Sequence, residues 1–293
     1  SLDLVIGGMH WQPGDEAVMA EQDYGARLNH FKLVADRYGV GNKLVSVPNH
    51  PKDDQEIVDL YASAITDKTR LLMVCHMINI TGQVLPIRKI CDMAHERGVD
   101  VMVDGAHAYS HIDFQMADLN CDYYGTSLHK WLSAPLGSGM RWVRKDKIDN
   151  VWPLLASGNF DSNDIRRLNH LGTDPVHVDL GIVNAIEYQE AIGLKRKEAR
   201  LKYLQQYWTK QLRDQPRVII NTPADINRHG AIGNVHIEGW DSRELADTLM
   251  QDYRIFTVGI NRPGVVGLRI TPNLYTTLDE LDTFVNAIKA LSA

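Results

Sequence analysis

The run Arg70-Leu71-Leu72-Met73-Val74 is apolar beyond its first residue, with no polar–apolar alternation. A strand of that kind has both faces covered, which places it inside a parallel sheet between helices. Its neighbours in sequence fit the same plan. Short β-rich runs at residues 17–20, 43–47, 99–103, 122–126 and 140–143 alternate with helical patterns at residues 25–38, 54–65 and 86–97. Ile57, Leu60, Tyr61 and Ile65 share one face of the second helical pattern. Pro86 opens the third and Gly98 closes it. Strands separated by helices predict an α/β fold: a three-layer α/β/α large domain around a mostly parallel sheet.

From about Pro175 a long helical pattern runs to about Arg213, and its basic cluster (Lys195, Arg196, Lys197, Arg200, Lys202) reads as a solvated helix face. Beyond it, strands at residues 218–220, 233–237, 255–258 and 268–270 and helices at 241–252 and 278–291 predict a smaller C-terminal α+β domain. The expected division is residues 1–213 and 214–293. Ser1-Leu2-Asp3-Leu4-Val5-Ile6 already reads as helix, so a segment upstream of the large domain is expected to be lacking.

The net charge of -6 argues against a general nucleic-acid binder. No apolar run approaches the ~20 residues of a membrane span. Cys75, Cys91 and Cys121 are an odd number in apolar contexts, which reads as core thiols in a reducing, cytoplasmic setting.

In open α/β sheets, ligands bind beyond the carboxyl ends of strands. Two such ends carry chemistry. Val101-Met102-Val103 runs into Asp104, and Thr126-Ser127-Leu128-His129 runs into Lys130 at a strand-to-loop exit. An acid and a lysine at neighbouring strand ends suit pyridoxal 5'-phosphate: the lysine forms a Schiff base with the aldehyde, and the aspartate keeps a proton on the pyridine nitrogen. Alone, Lys130 reads as a snorkelling surface lysine and Asp104 as a turn acid. His107 can donate to the cofactor's phenolic oxygen. With Asp104 and His111 it also admits a metal-hydrolase reading, but no third well-placed ligand accompanies the histidines, and no metal is expected. Ser127 and His129 can face a phosphate. Gly172-Thr173 precedes a helix, as an anion site or as a plain cap. Arg269, between apolar neighbours, suits either a substrate carboxylate or a structural ion pair. No phosphate loop, nucleophile elbow, dinucleotide fingerprint or H-E-x-x-H is present.

Together these residues resemble the class V aminotransferase family of pyridoxal phosphate fold-type I enzymes. The resemblance extends from Pro13-Gly14-Asp15-Glu16 to Leu274-Tyr275-Thr276-Thr277. It leans to the isopenicillin N epimerase-like branch through His129-Lys130-Trp131-Leu132-Ser133-Ala134-Pro135-Leu136-Gly137-Ser138-Gly139. The resemblance implies that Lys130 is the Schiff-base lysine and Asp104 the acid on the pyridine nitrogen. It puts His107 beside the phenolic oxygen, Ser127 and His129 on the phosphate side, Asn79 near a cofactor oxygen and Tyr24 against the ring. Thr173 would reach the neighbouring subunit's phosphate, which implies a homodimer, and Arg269 would bind the carboxylate of a small-molecule amino acid substrate.

The family's phosphate-cradling turn would precede the helix that Ser1-Leu2-Asp3-Leu4 continues. Cysteine desulfurases of this fold place a nucleophilic cysteine ahead of the carboxylate arginine, on a loop that here, Gly259 to Val265, has none. The expectation is an aminotransferase- or epimerase-like enzyme. The alternatives are a C–S or C–C lyase of the same fold, or a non-catalytic relative acting as a binding partner.

Overall fold

The apolar run at residues 70–74 forms the core of β3 (Thr69–Cys75), and its burial is two-sided as expected. Leu72 and Val74 enter one hydrophobic cluster, Leu71 and Met73 another, and all four are fully buried. The computed structural model describes residues 1–155, 161–169, 172–173 and 175–293.

β3 lies within a six-stranded sheet of order β2-β1-β3-β4-β5-β6. Its other strands are β1 (Glu16–Ala20), β2 (Gly41–Val45), β4 (Asp100–Asp104), β5 (Tyr123–Ser127) and β6 (Gly139–Val143). Strands β1 to β5 are parallel, and β6 returns antiparallel beside β5. Helices α1 (Leu2–Gly8) and α2 (Gly25–Tyr38) cover one face with Leu2, Val5, Ile6, Phe31 and Val34. Helices α3 (Asp54–Ala64) and α4 (Ile87–His95) cover the other with Ile57, Tyr61, Ile90 and Cys91. A short α5 (Met116–Leu119) leads into β5. The order reverses between β1 and β3, so a crevice opens there at the carboxyl edge.

The helical pattern at residues 175–213 is two helices, α6 (Val176–Ile192) and α7 (Leu194–Leu212). Gly193, at φ 83°, separates them, a backbone angle that glycine reaches without a Cβ clash. The basic cluster is also not uniformly solvated. Lys197 is buried and donates to Gln189 Oε1 (2.7 Å) and to the Trp131 carbonyl. Charge pattern alone misses this because a lysine can be satisfied by neutral acceptors across a helix contact.

The second sheet is antiparallel, of order β7-β8-β10-β9: β7 (Val218–Ile220), β8 (Gly233–Ile237), β9 (Val258–Arg262) and β10 (Val265–Ile270). Helix α8 (Ser242–Tyr253) is capped by Asp241, and α9 (Leu278–Leu291) by a Thr277–Glu280 capping box. The strand expected at residues 255–258 begins only at Val258. It continues through the segment expected to be a loop, which is the β9–β10 hairpin turning at Pro263-Gly264. Leu204, Trp208 and Leu212 of α7 pack into the core of this second sheet.

An ion-pair knot pins the first sheet. Fully buried Asp122 accepts from Val101 N (2.7 Å) and pairs with His95 Nε2 (2.8 Å) and Arg144 Nη2 (2.7 Å). Truncation strands the Arg144 guanidinium, the His95 ring nitrogen and a buried N–H, so Asp122→Ala is expected to cost about 3 kcal/mol, read as a lower urea midpoint. An unchanged midpoint would show that Arg144 and His95 resolvate without loss.

Candidate active site

Register brings the carboxyl ends of three strands level: Cys75 on β3 pairs with Asp104 on β4, and Asp104 with Gly125 on β5. The chain must then turn sharply after the acid. A Cβ on Gly105 would fall 1.9 Å from the Tyr124 hydroxyl, so only glycine fits at that position. Above this edge lies a cavity of about 230 Å³, lined by Tyr24, Asn79, Asp104, His107, Ser127, His129 and Lys130 among others. The sequence-predicted cofactor residues thus meet in one place, with one exception. Thr173 is solvent-exposed and does not line the cavity. Helix α6 begins only at Val176, so Gly172-Thr173 lies before it, outside its first turn.

Asp104 is buried, and among the described residues its hydrogen bond comes from Ala106 N to Oδ1 (3.0 Å). Burial raises its pKa above the usual carboxylate range; the Ala106 N–H and the charges of Lys130 and Arg27 oppose that rise. Lys130 Nζ lies 3.2 Å from His107 Nε2. Burial pulls the Lys130 amine below its usual range; Asp104 opposes, and Arg269 adds to the lowering. The His107 ring is held well below its usual range, chiefly by burial. His129 Nδ1 lies 3.3 Å from the Ser138 carbonyl.

Arg269 sits on β10, part-buried, and its charge reaches both Lys130 and His107. Its Nε is buried with no hydrogen-bond partner among the described residues, and Asn79 Oδ1 is in the same state. Among the described residues, a buried carboxylate with no cation hydrogen-bonded to it and an orphaned amide oxygen line one cavity, and an orphaned guanidinium nitrogen belongs to an arginine whose charge acts on two of the cavity's residues, Lys130 and His107. A protonated pyridine nitrogen would satisfy the carboxylate, a substrate carboxylate would satisfy the guanidinium, and Asn79, with its amide turned so that Nδ2 faces inward, would donate to the ring oxygen, so the residues present fit pyridoxal phosphate.

Three features escape the sequence reading. Cys75 is buried, as a core thiol should be, but it also lines the cavity and contacts the Asp23 carboxyl. Arg27 of α2 lines the cavity as well and is paired with Asp3. Asp23, in the turn after β1, is buried beneath the site and accepts from Ala20 N (2.8 Å). An acid in a turn resembles any other turn acid in sequence; only the register that buries it tells them apart.

Burial lifts the Asp23 carboxyl to about 7. Its folded pKa lies above the unfolded value near ~3.9, so the native state holds the extra proton between those values, and stability falls as pH rises through that window. Asp23→Asn removes that loss. It is expected to stabilise the protein above pH ~7 by roughly 1–4 kcal/mol and to have little effect near pH ~4. Urea titrations of both proteins at the two pH values check this, and a benefit equal at both would contradict it.

The metal-hydrolase reading does not survive the geometry. Both His111 ring nitrogens are engaged, Nδ1 with the His107 carbonyl (2.9 Å) and Nε2 with Ala231 N (2.8 Å). Among the described residues no group of three or more His, Cys, Asp or Glu side chains is placed to hold a metal ion.

A mostly parallel sheet with helices on both faces, followed by a second, antiparallel sheet, is the architecture of fold-type I pyridoxal phosphate enzymes. Cysteine desulfurase from Thermococcus onnurineus superposes with a TM-score of 0.85 at 20% identity, over 99% of this chain and 76% of that one. The family model for aminotransferase class-V matches residues 1–259, and the chain belongs to that family. It is similar to isopenicillin N epimerase of Streptomyces clavuligerus, 28% identical over 100% of this chain and 78% of that protein. It is also similar to isopenicillin N epimerase of Amycolatopsis lactamdurans, 30% identical over 97% and 75%.

Proposed function

We propose that this chain is a pyridoxal phosphate-dependent enzyme of amino acid substrates, epimerase- or aminotransferase-like, linked to its cofactor through Lys130. The observation that carries the reading is the Lys130 amine: part-buried, 3.2 Å from a neutral imidazole and facing a buried carboxylate across the cavity. A lysine whose amine is lowered below its usual range is the better nucleophile for an aldehyde.

When bound, the cofactor would supply an electron sink for a carbanion at the substrate Cα. The chain's own groups divide the remaining work. Asp104 would hold a proton on the ring nitrogen, His107 and Asn79 would face the ring oxygen, and Ser127 and His129 would face the phosphate. Lys130 would move the proton at Cα. Tyr24 lines the cavity and is half-exposed. It would cover the ring.

Arg269 would bind the substrate carboxylate in a bidentate pair. Arg269→Ala is therefore expected to raise KM for amino acids about 10- to 100-fold, with a smaller change in kcat. An unchanged KM would make Arg269 structural.

The test of the activity is exchange of the α-hydrogen for deuterium in D2O across a panel of amino acids, a step common to epimerisation and transamination. Exchange that requires added pyridoxal phosphate supports the proposal. Its absence for every amino acid overturns it. Against a lyase of the desulfurase kind stands the β9–β10 hairpin, which carries no cysteine.

We place the functional division near residue 213, between α7 and β7. The working unit is proposed to be a homodimer, with Thr173 reaching the partner's phosphate site. The exposed Val176, Leu180 and Val183 on α6 form an apolar face next to Thr173 that a second copy would cover. The three cysteines are free and buried, which favours a reducing, cytoplasmic location. No helix among the described residues is long and apolar enough to cross a membrane.

A further inference from the structure

Trp131 follows the lysine directly and is buried. Its indole Nε1 lies 3.2 Å from His107 Nδ1. An indole N–H can only donate, so the imidazole nitrogen that it meets must be the one without a proton. A neutral His107 then carries its single proton on Nε2, the atom that faces Lys130 Nζ at 3.2 Å. An ammonium group has only donors. Opposite an N–H it has nothing to donate to, whereas a free amine offers its lone pair. We infer that the Trp131 indole N–H fixes the His107 proton on Nε2 and, through it, holds Lys130 as a free amine.

The indole is itself firmly placed. The His111 ring packs against it, with centroids 3.7 Å apart and the planes tilted by 38°. That ring is fixed in turn by the His107 carbonyl and by Ala231 N, just ahead of β8. The Trp131 carbonyl accepts from the buried Lys197 ammonium. Lys197 and His111, which the catalytic assignment leaves without a part, thereby become the clamp on the indole. The other groups that act on Lys130 are Asp104 on β4, Cys75 on β3, Arg27 on α2 and Arg269 on β10. Those on His107 are Lys130, Arg269 and His111. Among the described residues none of these groups donates to His107 Nδ1, so the tautomer rests on Trp131.

Trp131 is thus a positioning residue, and its test needs no bound cofactor. Two variants separate the N–H from the ring: Trp131→Phe, and site-specific 3-benzothienylalanine at residue 131, which keeps the bicyclic shape without the N–H. The first measurement is the ring ¹⁵N spectrum of His107 in the cofactor-free protein. The wild type should be protonated at Nε2 alone, and both variants should populate the Nδ1–H form. The second is the pH dependence of Lys130 acylation by acetic anhydride, read by peptide mass spectrometry. Its midpoint should rise by about one pH unit, a roughly tenfold loss of free amine below it. Should Trp131→Phe fail to fold, the benzothienyl variant decides.

A wild-type His107 protonated on Nδ1, or an acylation midpoint that the benzothienyl variant leaves unmoved, overturns the inference. The inference concerns the bare protein, so it can hold even if Lys130 binds no pyridoxal phosphate; the two failures are distinguishable.

Discussion

Lys130→Ala is expected to lower α-hydrogen exchange by at least about 10³-fold, because the variant lacks both the amine that links the cofactor and the base that moves the proton. The protein itself should stay folded. Lys130 is part-buried, and its one side-chain hydrogen bond among the described residues is to a histidine, so its removal strands no carboxylate. Melting temperatures within a few degrees of the wild type are the expected control. Two further variants sharpen the result. Lys130→Arg should be as inactive as the alanine, since a guanidinium stays charged and does not attack an aldehyde. A small primary amine added to Lys130→Ala should restore part of the exchange, which a structural role for the lysine would not permit. Wild-type exchange in Lys130→Ala would remove the lysine from the chemistry altogether.

Asp104→Ala is expected to cost about 10²- to 10³-fold in the same assay, the scale of removing one fixed charge aimed at a reacting system. The stability effect should run the other way. Burial raises the Asp104 pKa in the folded protein, so the native state keeps a proton that the unfolded chain releases. The stability of the cofactor-free protein therefore declines as pH rises from the unfolded value near ~3.9 through the raised folded one. Asp104→Asn removes that decline and should be the more stable protein at neutral pH, yet a poor catalyst. Urea unfolding with pyridoxal phosphate absent and present checks both halves. The asparagine variant should gain stability without the cofactor and gain less than the wild type from adding it. A variant that is less stable without cofactor would mean that Asp104 serves the fold first.

Much of the sheet was legible because parallel strands leave a plain mark. The unbroken Leu71-Leu72-Met73-Val74 run feeds two cores at once, and no other element of an α/β fold needs that. Helix α3 was legible from the shared face of Ile57, Leu60, Tyr61 and Ile65, and α4 from its end signals, Pro86 ahead of it and Gly98 beyond it. Chemistry at the strand ends was legible in part. Asp104 and Lys130 stand where apolar runs stop, and the register then sets Asp104 level with Gly125, five residues ahead of the lysine.

What was not legible is long-range. The break at Gly193 lies within a continuous helical pattern, and the buried fate of Lys197 depends on where the Trp131 carbonyl falls. The β9 strand was displaced because Val258 to Arg262 is stabilised by pairing with β10, not by its own apolar content. Trp131 entered the sequence reading only as part of the run that follows Lys130. Its N–H gains meaning only when folding brings His107, 24 residues away in sequence, within 3.2 Å.

The central claim is that Lys130, and no other amine of this chain, carries the cofactor. Borohydride reduction after incubation with pyridoxal 5'-phosphate, followed by peptide mass spectrometry, tests it most directly. The account predicts stoichiometric addition of one reduced pyridoxyl phosphate on the peptide containing Lys130, together with loss of the visible absorbance band. Label spread over exposed lysines, or concentrated on a lysine outside the Asp104 cavity, would contradict it.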